Sequence, residues 1–163
     1  MSAQYDAICA FIYREERFLD DRNWDEWLEL YAPEAEYWMP SWDDNDELTD
    51  DPQTQISLIY YPNRNGLEDR VFRIKTERSS ASMPEPRTNH MVSNIEVLSE
   101  QGDSVDIRYN FHTLSHRYKE TNHFFGTCFL TIRAHADVGF RITRKKIILK
   151  DDYISQVIDI YHI

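Results

Sequence analysis

Apolar and polar residues alternate over long stretches in the second half of the chain. In the clearest stretch, residues 105–115, apolar positions such as Val105, Ile107 and Tyr109 alternate with charged and polar ones. Successive side chains of a strand point to opposite faces of a sheet, so this period of two predicts a strand with one dry face. Three further strand-like stretches flank it at residues 91–98, 122–134 and 140–149. With short turns between them, they predict a four-strand antiparallel meander within residues 87–150.

The predicted strands are longer than most. A run of ten residues extends roughly 33 Å at about 3.3 Å per residue, whereas common strands have about five or six residues. Such strands must twist and curl, and Gly126 inside the third one is a natural place for a bulge or bend. A curled sheet has a concave side that must be filled, and we expect the chain before residue 80 to fill it.

Helical patterns precede the predicted sheet. Residues 4–20 carry an apolar stripe at helical spacing, with acidic and basic side chains on the other side. The stripe consists of Tyr5, Ile8, Cys9, Phe11, Ile12, Phe18 and Leu19. A shorter second helix is predicted from an Asn23 cap to Ala32-Pro33. Its inward residues are Trp24, Trp27, Leu28 and Tyr31.

Two short strands and a third helix complete the first half of the chain. The strands are predicted at residues 36–39 and 56–61, where aromatic and branched residues cluster. Asn65 is predicted to cap a helix that runs through Thr76. Its apolar face consists of Leu67, Val71 and Ile74. Residues 79–86, with two prolines, form a connector that leads into the meander.

Length and charge narrow the class of protein. At 163 residues, 41% of them hydrophobic, the chain is long enough for one continuous core, so we expect a single domain over residues 1–163. Its parts are helices with short strands in 1–80, the meander in 87–150 and a C-terminal tail in 151–163. The formal charge of −11 repels phosphate backbones, which argues against nucleic-acid binding.

Cysteine usage and hydropathy indicate the compartment. Cys9 and Cys128 are too few for a disulfide framework or a four-ligand zinc site. No apolar run approaches the roughly 18 residues that a membrane span needs, and no charged and apolar leader opens the chain. We therefore expect a cytoplasmic protein that does not bind membranes.

One group of residues points to acid–base catalysis. A helix-lined cone can hold a buried carboxylate beside a histidine, as small isomerases and dehydratases of this shape do. The candidates for such a pocket are Tyr13, Glu15, Glu16, His90 and His112. However, polar residues on amphipathic helices mostly face solvent, and the large apolar residues are numerous enough to fill the cavity. The simpler expectation is a chain with no catalytic site of its own.

The spacing of His112 and His116 resembles a metal motif, but the predicted strand argues against it. Positions four apart on a strand are separated by roughly 13 Å, too far for one ion held by bonds near 2 Å. The chain also lacks a G-x-S-x-G nucleophile motif and a glycine-rich phosphate loop. We expect no metal or cofactor site in this chain.

Residues 41–52 form a strongly acidic segment, which we call the acidic loop. Its acids are Asp43, Asp44, Asp46, Glu47, Asp50 and Asp51. Because these charges repel one another, the segment is predicted to be a surface loop, either solvated or in contact with a basic partner surface. A calcium-binding loop of the EF-hand type would need a glycine at its sixth position, which is missing.

Aromatic residues and arginines around this loop and the third helix predict an interface with other chains. Trp38 and Trp42 flank the acidic loop, and aromatic residues and Arg are enriched where proteins meet. The predicted interface residues are Trp42, Asp43, Asp44, Arg70, Arg73 and Arg87. Together they favour an oligomer.

Five segments resemble, in the same order, the β (small) subunit of aromatic-ring-hydroxylating dioxygenases, and especially the benzoate and anthranilate branch. They are FIYREERFLDDRNWDEWLELYAPEAEYWMP, WDDNDELTDDP, LEDRVFRIKTERSSA, PRTNHMVSNIEV and KKIILKDDYISQVIDIYHI. The resemblance spans almost the whole chain. It implies a cone-shaped α+β fold of the NTF2-like (cystatin-like) kind, in which N-terminal helices pack on a long, strongly curved, mostly antiparallel sheet.

The resemblance also implies a function. In that family the large (α) subunit carries a Rieske 2Fe–2S cluster and a mononuclear non-haem Fe(II), and the small subunit carries neither. This chain would be a non-catalytic subunit that holds α subunits in an α3β3 hexamer, with electrons supplied from NADH by a reductase. The whole enzyme would dihydroxylate an aromatic acid such as benzoate or anthranilate. Two alternatives stay open, a free-standing NTF2-like isomerase or dehydratase and a small-ligand-binding protein of the same fold.

The cysteines provide an independent check on the expected absence of iron. A Rieske centre needs one C-x-H and one C-x-x-H pair. Here Cys9 is followed by Ala-Phe and Cys128 by Phe-Leu-Thr, so neither pair exists. A facial triad needs two histidines and a carboxylate brought together, and no local pattern around the six histidines suggests one. The iron chemistry is therefore expected on a different chain.

Overall fold

The computed structural model describes residues 3–77, 85–151 and 158–163. Within these residues, a curved six-stranded sheet packs against helices. The helices are α1 (Ala3–Asp20), α2 (Trp24–Glu29) and α3 (Asn65–Glu77), and the strands are β1 (Tyr31–Pro40), β2 (Ser57–Tyr61), β3 (Arg87–Gln101), β4 (Ser104–Arg117), β5 (Glu120–His135) and β6 (Gly139–Leu149). Residues 79–84 of the predicted connector and 152–157 of the predicted tail lie outside the described residues. The strand order across the sheet is β2-β1-β6-β5-β4-β3.

The predicted meander is confirmed in the strands β3 to β6. Each pairs with the next in antiparallel fashion, and each extends beyond its predicted bounds, by several residues in β3 and by one residue in β6. In β4, burial alternates as the sequence predicts: Val105, Ile107 and Tyr109 are each at most 4% exposed, and the residues between them are exposed or half-buried. Among the strands that the structure describes, β1 and β6 form the one parallel pair, so the sheet is mixed but mostly antiparallel.

The first strand begins earlier than predicted. Tyr31 and Ala32-Pro33 belong to β1 and not to the second helix, which ends at Glu29. The reason is long-range pairing: the amide of Ile142 in β6 donates to the carbonyl of Leu30 at 2.7 Å, and Tyr31 then pairs with β6. A tertiary contact therefore overrides the helical spacing of the aromatic residues. Asn23 does occupy the cap position of α2, but its side chain makes no capping hydrogen bond.

The prediction that Asn65 caps α3 is wrong, because this residue lies inside the helix. Asn65 is the first residue of the helix, and its amide donates to the Oδ1 atom of Asn63 at 3.0 Å. The predicted apolar face is confirmed, because Leu67, Val71 and Ile74 are all buried. The predicted strand at 56–61 is also confirmed, as β2, which pairs with β1.

Of the bulge or bend predicted at Gly126, the bulge is absent. The pairing of β5 with β4 runs through this residue without a shift of register. A Cβ atom built at Gly126 would lie 1.9 Å from the carbonyl oxygen of Ile148, so the glycine permits a close approach of two backbones. A register shift occurs in β3 between Ser93 and Glu96, where Asn94 has a φ of 56°.

The core lies on the concave side of the sheet, where α1 packs across β3 and the other helices close the remaining side. From α1 the core receives Ile8, Phe11, Ile12 and Leu19. The Tyr5 hydroxyl at the start of α1 donates to the carbonyl of Ile95 at 2.9 Å, which fixes the helix along β3. The C-terminal end of the chain also enters the core, because Ile160 and Ile163 are buried.

Candidate functional site

Five ionisable side chains lie together beneath α1, and we call them the buried charge cluster. They are Glu15, Glu16, Asp20, His90 and Lys145. The two glutamates occupy positions on α1 between the buried residues Ile12 and Leu19, on the same face of the helix. Glu15, Glu16 and Lys145 are at most 4% exposed, so the cluster is closed to solvent at its centre.

Lys145 and Glu15 form the centre of the buried charge cluster. The Nζ atom of Lys145 lies 2.8 Å from Oε1 of Glu15 and 3.8 Å from Oε1 of Glu16. Glu15 Oε1 also accepts hydrogen bonds from the Tyr31 hydroxyl at 2.7 Å and from the Trp27 indole at 3.3 Å. Three donors therefore converge on one oxygen of Glu15, which is how a protein keeps a charge inside an apolar core.

The environment pushes the pKa values of the two glutamates in opposite directions. Burial raises the pKa of Glu15, but the Lys145 charge and the hydrogen bonds outweigh it, so the net pKa is lowered and the carboxylate stays ionised. Burial raises the pKa of Glu16, and the adjacent Glu15 charge raises it further. Burial alone would lower the pKa of Lys145, but the attraction of both glutamates raises it well above its usual range. The centre thus holds one firm ion pair and favours a neutral Glu16.

A second part of the cluster connects α1 to β3. The Nδ1 atom of His90 lies 2.5 Å from Oδ1 of Asp20, and the His90 amide donates to Oδ2 at 3.0 Å. The Thr88 hydroxyl donates to the same carboxylate at 3.0 Å. On the other side of the ring, Nε2 of His90 lies 3.9 Å from Oε2 of Glu16. Asp20 therefore fastens the end of α1 to the first residues of β3.

The structure brings together three of the five predicted pocket residues. Glu15, Glu16 and His90 belong to the buried charge cluster, whereas Tyr13 is 51% exposed and His112 lies on the outer face of the sheet. No substrate can reach the centre of the cluster, because its three central side chains are sealed inside the core. The cluster therefore has the residue types of an acid–base site without its accessibility.

The sequence analysis did not predict Lys145 as a buried residue, although the alternation of residues along β6 indicates that it points inward. Lys145 stands two and four residues before Ile147 and Leu149, which are both buried. In a strand, positions two apart share a face, so the alternation places the lysine inward. Similarly, Glu15 and Glu16 follow Phe11 and Ile12 by one helical turn, a spacing that places them on the buried face of α1.

The histidines of β4 do not form one site with each other. His112 Nε2 lies 2.9 Å from His123 Nδ1 on β5, while His116 Nδ1 lies 2.7 Å from the hydroxyl of Thr121. Among residues 3–77, 85–151 and 158–163, no three His, Cys, Asp or Glu side chains are arranged to hold a metal ion.

Three of the predicted interface residues lie at the acidic loop. Trp42 is 43% exposed, and its indole nitrogen donates to the carbonyl of Leu149 at 2.7 Å, which ties the loop to the end of β6. Asp43 accepts hydrogen bonds from the amides of Asn45 and Glu47, so it shapes the loop, and Asp44 is exposed. Trp38, in contrast, is 3% exposed. This tryptophan is part of β1 and was wrongly expected at the surface.

The three predicted interface arginines lie elsewhere. Arg70 on α3 forms an ion pair with Asp159, and both nitrogens Nε and Nη2 contact the carboxylate. Arg73 is exposed on the same helix, and Arg87 is exposed at the start of β3 on the outer face. The six residues therefore do not form one patch, and their role in an interface stays a prediction.

The buried side chain of His162 predicts how the stability of the fold depends on pH. Its Nδ1 atom accepts the amide hydrogen of Asp159 at 2.9 Å, which requires the neutral ring. Burial lowers the pKa of His162 to about 4; Asp159 opposes this shift, and His90 and Arg70 add to it. Because folding lowers this pKa, the neutral ring stabilises the fold fully at pH values above 6.5, the ordinary pKa of histidine. This stabilisation is lost as the pH falls from 6.5 to about 4.

We therefore expect the His162→Gln variant to have a flatter pH dependence of stability. The native chain should lose roughly 3 kcal/mol through His162 between pH 6.5 and 4, and the variant should not lose this part. Urea unfolding of both chains at several pH values in this range measures the difference. Parallel stability curves for the two chains would contradict the assignment.

None of the helices in the described part of the chain is both long enough and apolar enough to cross a membrane.

Comparisons with known proteins assign the family. Residues 14–156 match the family described as the ring hydroxylating beta subunit. The chain is 57% identical over 163 residues to the toluate 1,2-dioxygenase subunit beta of Pseudomonas putida, covering 100% of both chains. It is 60% identical over 156 residues to the benzoate 1,2-dioxygenase subunit beta of Acinetobacter baylyi, covering 96% of this chain and 92% of the relative.

Solved structures support the same assignment. The beta subunit of the benzoate 1,2-dioxygenase from Burkholderia mallei superimposes with a TM-score of 0.83 at 52% identity, covering 96% of this chain and 95% of that one. An NTF2-like protein with a cystatin-like fold from Novosphingobium aromaticivorans superimposes with a TM-score of 0.61 at 14% identity, covering 91% and 83%. The second likeness confirms the predicted fold, and the first does not favour a free-standing isomerase or dehydratase. The chain belongs to the family of ring-hydroxylating dioxygenase beta subunits, of the benzoate, toluate and anthranilate type.

Proposed function

We propose that this chain is the non-catalytic subunit of a dioxygenase that adds both atoms of O2 to an aromatic carboxylic acid of the benzoate or toluate type. The observation that carries the proposal is the full-length similarity to the toluate and benzoate dioxygenase beta subunits, at 57% and 60% identity. A large subunit is implied by membership of this family. The aromatic substrate would bind to that partner, because the ionisable cluster of this chain is sealed in its core.

The proposed assembly is an α3β3 hexamer in the cytoplasm. The large subunit would hold the Rieske 2Fe–2S cluster and the mononuclear Fe(II), and a reductase would supply electrons from NADH. This division of labour is supported by the absence of C-x-H and C-x-x-H pairs from the sequence. The free thiols of Cys9 and Cys128 are in keeping with a reducing compartment.

The fold supports an architectural role for this chain. Two contacts, the buried ion pair of Lys145 with Glu15 and the hydrogen bond between His90 and Asp20, join α1 to β6 and to β3. They fix the position of α1 across the sheet, and a partner of the ion pair left alone in the core would be strongly unfavourable. A rigid sheet with a large outer face is suited to holding larger subunits in fixed positions.

Co-expression with the large subunit tests the proposal. Native mass spectrometry of the purified complex should show three copies of each chain. An Arg133→Met variant of the small chain, altered at an exposed ion pair with Glu34, serves as a control that should assemble normally. Failure of the native small chain to form a stable complex with the large subunit would contradict the proposed function.

A further inference from the structure

Two polar atoms face each other between the two parts of the buried charge cluster without touching. Nε2 of His90 lies 3.9 Å from Oε2 of Glu16, which is longer than a hydrogen bond. Neither atom has a hydrogen-bond partner among residues 3–77, 85–151 and 158–163. The two side chains are only 1% and 5% exposed, so bulk solvent cannot satisfy them. Buried polar atoms of this kind are costly, and folded proteins commonly pair them with an ordered water molecule.

The contact of His90 with Asp20 decides which ring nitrogen carries the hydrogen. Asp20 accepts hydrogen bonds from the His90 amide and from the Thr88 hydroxyl, each at 3.0 Å. A carboxylate can only accept, so Nδ1 of His90, which lies 2.5 Å from Oδ1 of Asp20, is a further donor to it. In the neutral ring the other nitrogen is then an acceptor. The Nε2 atom that faces Glu16 therefore needs a donor.

Glu16 also presents an acceptor to this gap. Burial and the charge of Glu15 raise the pKa of Glu16 well above its usual range, against the opposing charge of Lys145, and a hydrogen bond with Glu15 raises it further. The neutral Glu16 thus donates its proton to the ionised Glu15. Oε1 of Glu16 is the oxygen on that side, because it lies 3.8 Å from the same Lys145 nitrogen that binds Glu15. Oε2, on the His90 side, carries no hydrogen and can only accept.

A buried threonine lies beside these two acceptors. Thr113 on β4 is directly opposite His90 on β3, so the two side chains share the concave face of the sheet, with Cβ atoms about 4.5–5.5 Å apart. Thr113 is fully buried, and its hydroxyl has no partner in the part of the chain that the structure describes. A hydroxyl can donate one hydrogen bond. The gap is therefore bordered by two acceptors and one donor.

Water is the molecule that fits this set of groups. It donates two hydrogens, it accepts from a donor, and a buried water typically makes about three hydrogen bonds. One oxygen atom can lie about 2.8 Å from each of two acceptors that are 3.9 Å apart. We propose that one water molecule is bound between Glu16 and His90, donating to Oε2 and to Nε2 and accepting from the hydroxyl of Thr113.

The bound water makes the buried charge cluster one continuous hydrogen-bonded chain. The chain runs from Asp20 and His90 through the water and the two glutamates to Lys145. It therefore crosses the core from β3 to β6 beneath α1, and the Thr113 hydroxyl connects it to β4. The site explains why polar atoms of three different elements are buried around one gap, since each of them gains a partner.

Crystallography and NMR of the full-length native chain test the site directly. In a crystal structure at about 1.5 Å resolution, we expect one water peak within about 2.6–3.2 Å of Glu16 Oε2, His90 Nε2 and the Thr113 hydroxyl. Hydrogens are not visible at that resolution, so nitrogen-15 NMR at neutral pH should show the His90 hydrogen on Nδ1 and none on Nε2. A missing peak, a direct bond between Glu16 and His90, or a hydrogen on Nε2 would overturn the proposal.

Substitutions that remove the water's partners provide a second test. Glu16→Met with Thr113→Val should hold one long-lived internal water fewer than the native chain, counted by oxygen-17 magnetic relaxation dispersion. The matched control is Thr127→Val, because the hydroxyl of this equally buried threonine already donates to Asn110 Oδ1 at 3.2 Å, and its water count should be unchanged. Equal counts in the native chain and a folded double variant would overturn the site. If the double variant does not fold, the density and the His90 spectrum of the native chain decide.

Discussion

The Lys145→Met variant of the isolated chain should be destabilised by about 3–5 kcal/mol. Removing one partner of a buried pair leaves the other charge without compensation, and here Glu15 would remain ionised in the core or take up a proton. Total stabilities of domains are about 5–15 kcal/mol, so this loss is a large fraction of the whole. Urea unfolding at neutral pH measures it.

Two further variants keep the Lys145 prediction testable even where the single change prevents folding. Combining Lys145→Met with Glu15→Gln should recover a substantial part of the stability, because the amide oxygen still accepts from Tyr31 and Trp27 while no charge is left unpaired. Arg133→Met removes one partner of the exposed pair with Glu34 and should change stability by less than about 1 kcal/mol. Equal losses for Lys145→Met and Arg133→Met would contradict the role of the cluster.

The Gly126→Ala variant should lose about 3 kcal/mol or more. The added Cβ would meet the carbonyl oxygen of Ile148 at 1.9 Å, and backbone cannot swing aside as a flexible side chain does. To admit the methyl group, β5 and β6 must separate where Gly126 pairs with Leu149. Thermal unfolding of the variant measures the effect, and amide exchange along β6 locates it.

Gly102→Ala is the matched control for this substitution. Gly102 has a φ of 63° but open space around its Cβ position, so alanine there should cost only about 1–2 kcal/mol of backbone strain. If alanine at position 126 were tolerated as well as alanine at position 102, the close approach would not be the reason for the glycine.

The meander could be predicted from the sequence because its information is local. In β4, Val105, Ile107 and Tyr109 alternate with polar residues over more than ten positions, and few other structures satisfy that pattern. The start of β1 could not be predicted in the same way. Tyr31 joins the sheet through parallel pairing with β6, more than a hundred residues later in the chain.

The candidate sites were harder to predict because they depend on exceptions to the usual pattern. Glu15, Glu16 and Lys145 occupy apolar positions of their elements, and only their mutual compensation makes this burial possible. In contrast, the order of whole segments along the chain was sufficient to predict the family.

The partition of iron between the two chains tests most directly whether the small chain is a non-catalytic subunit. The purified complex should be dissociated under mild, anaerobic conditions, and iron and acid-labile sulfide should be measured in each separated chain. We predict that both remain entirely with the large subunit, and that adding back the metal-free small chain restores the assembly and its turnover. Stoichiometric iron in the small chain, or turnover of an aromatic acid by that chain alone, would contradict the account.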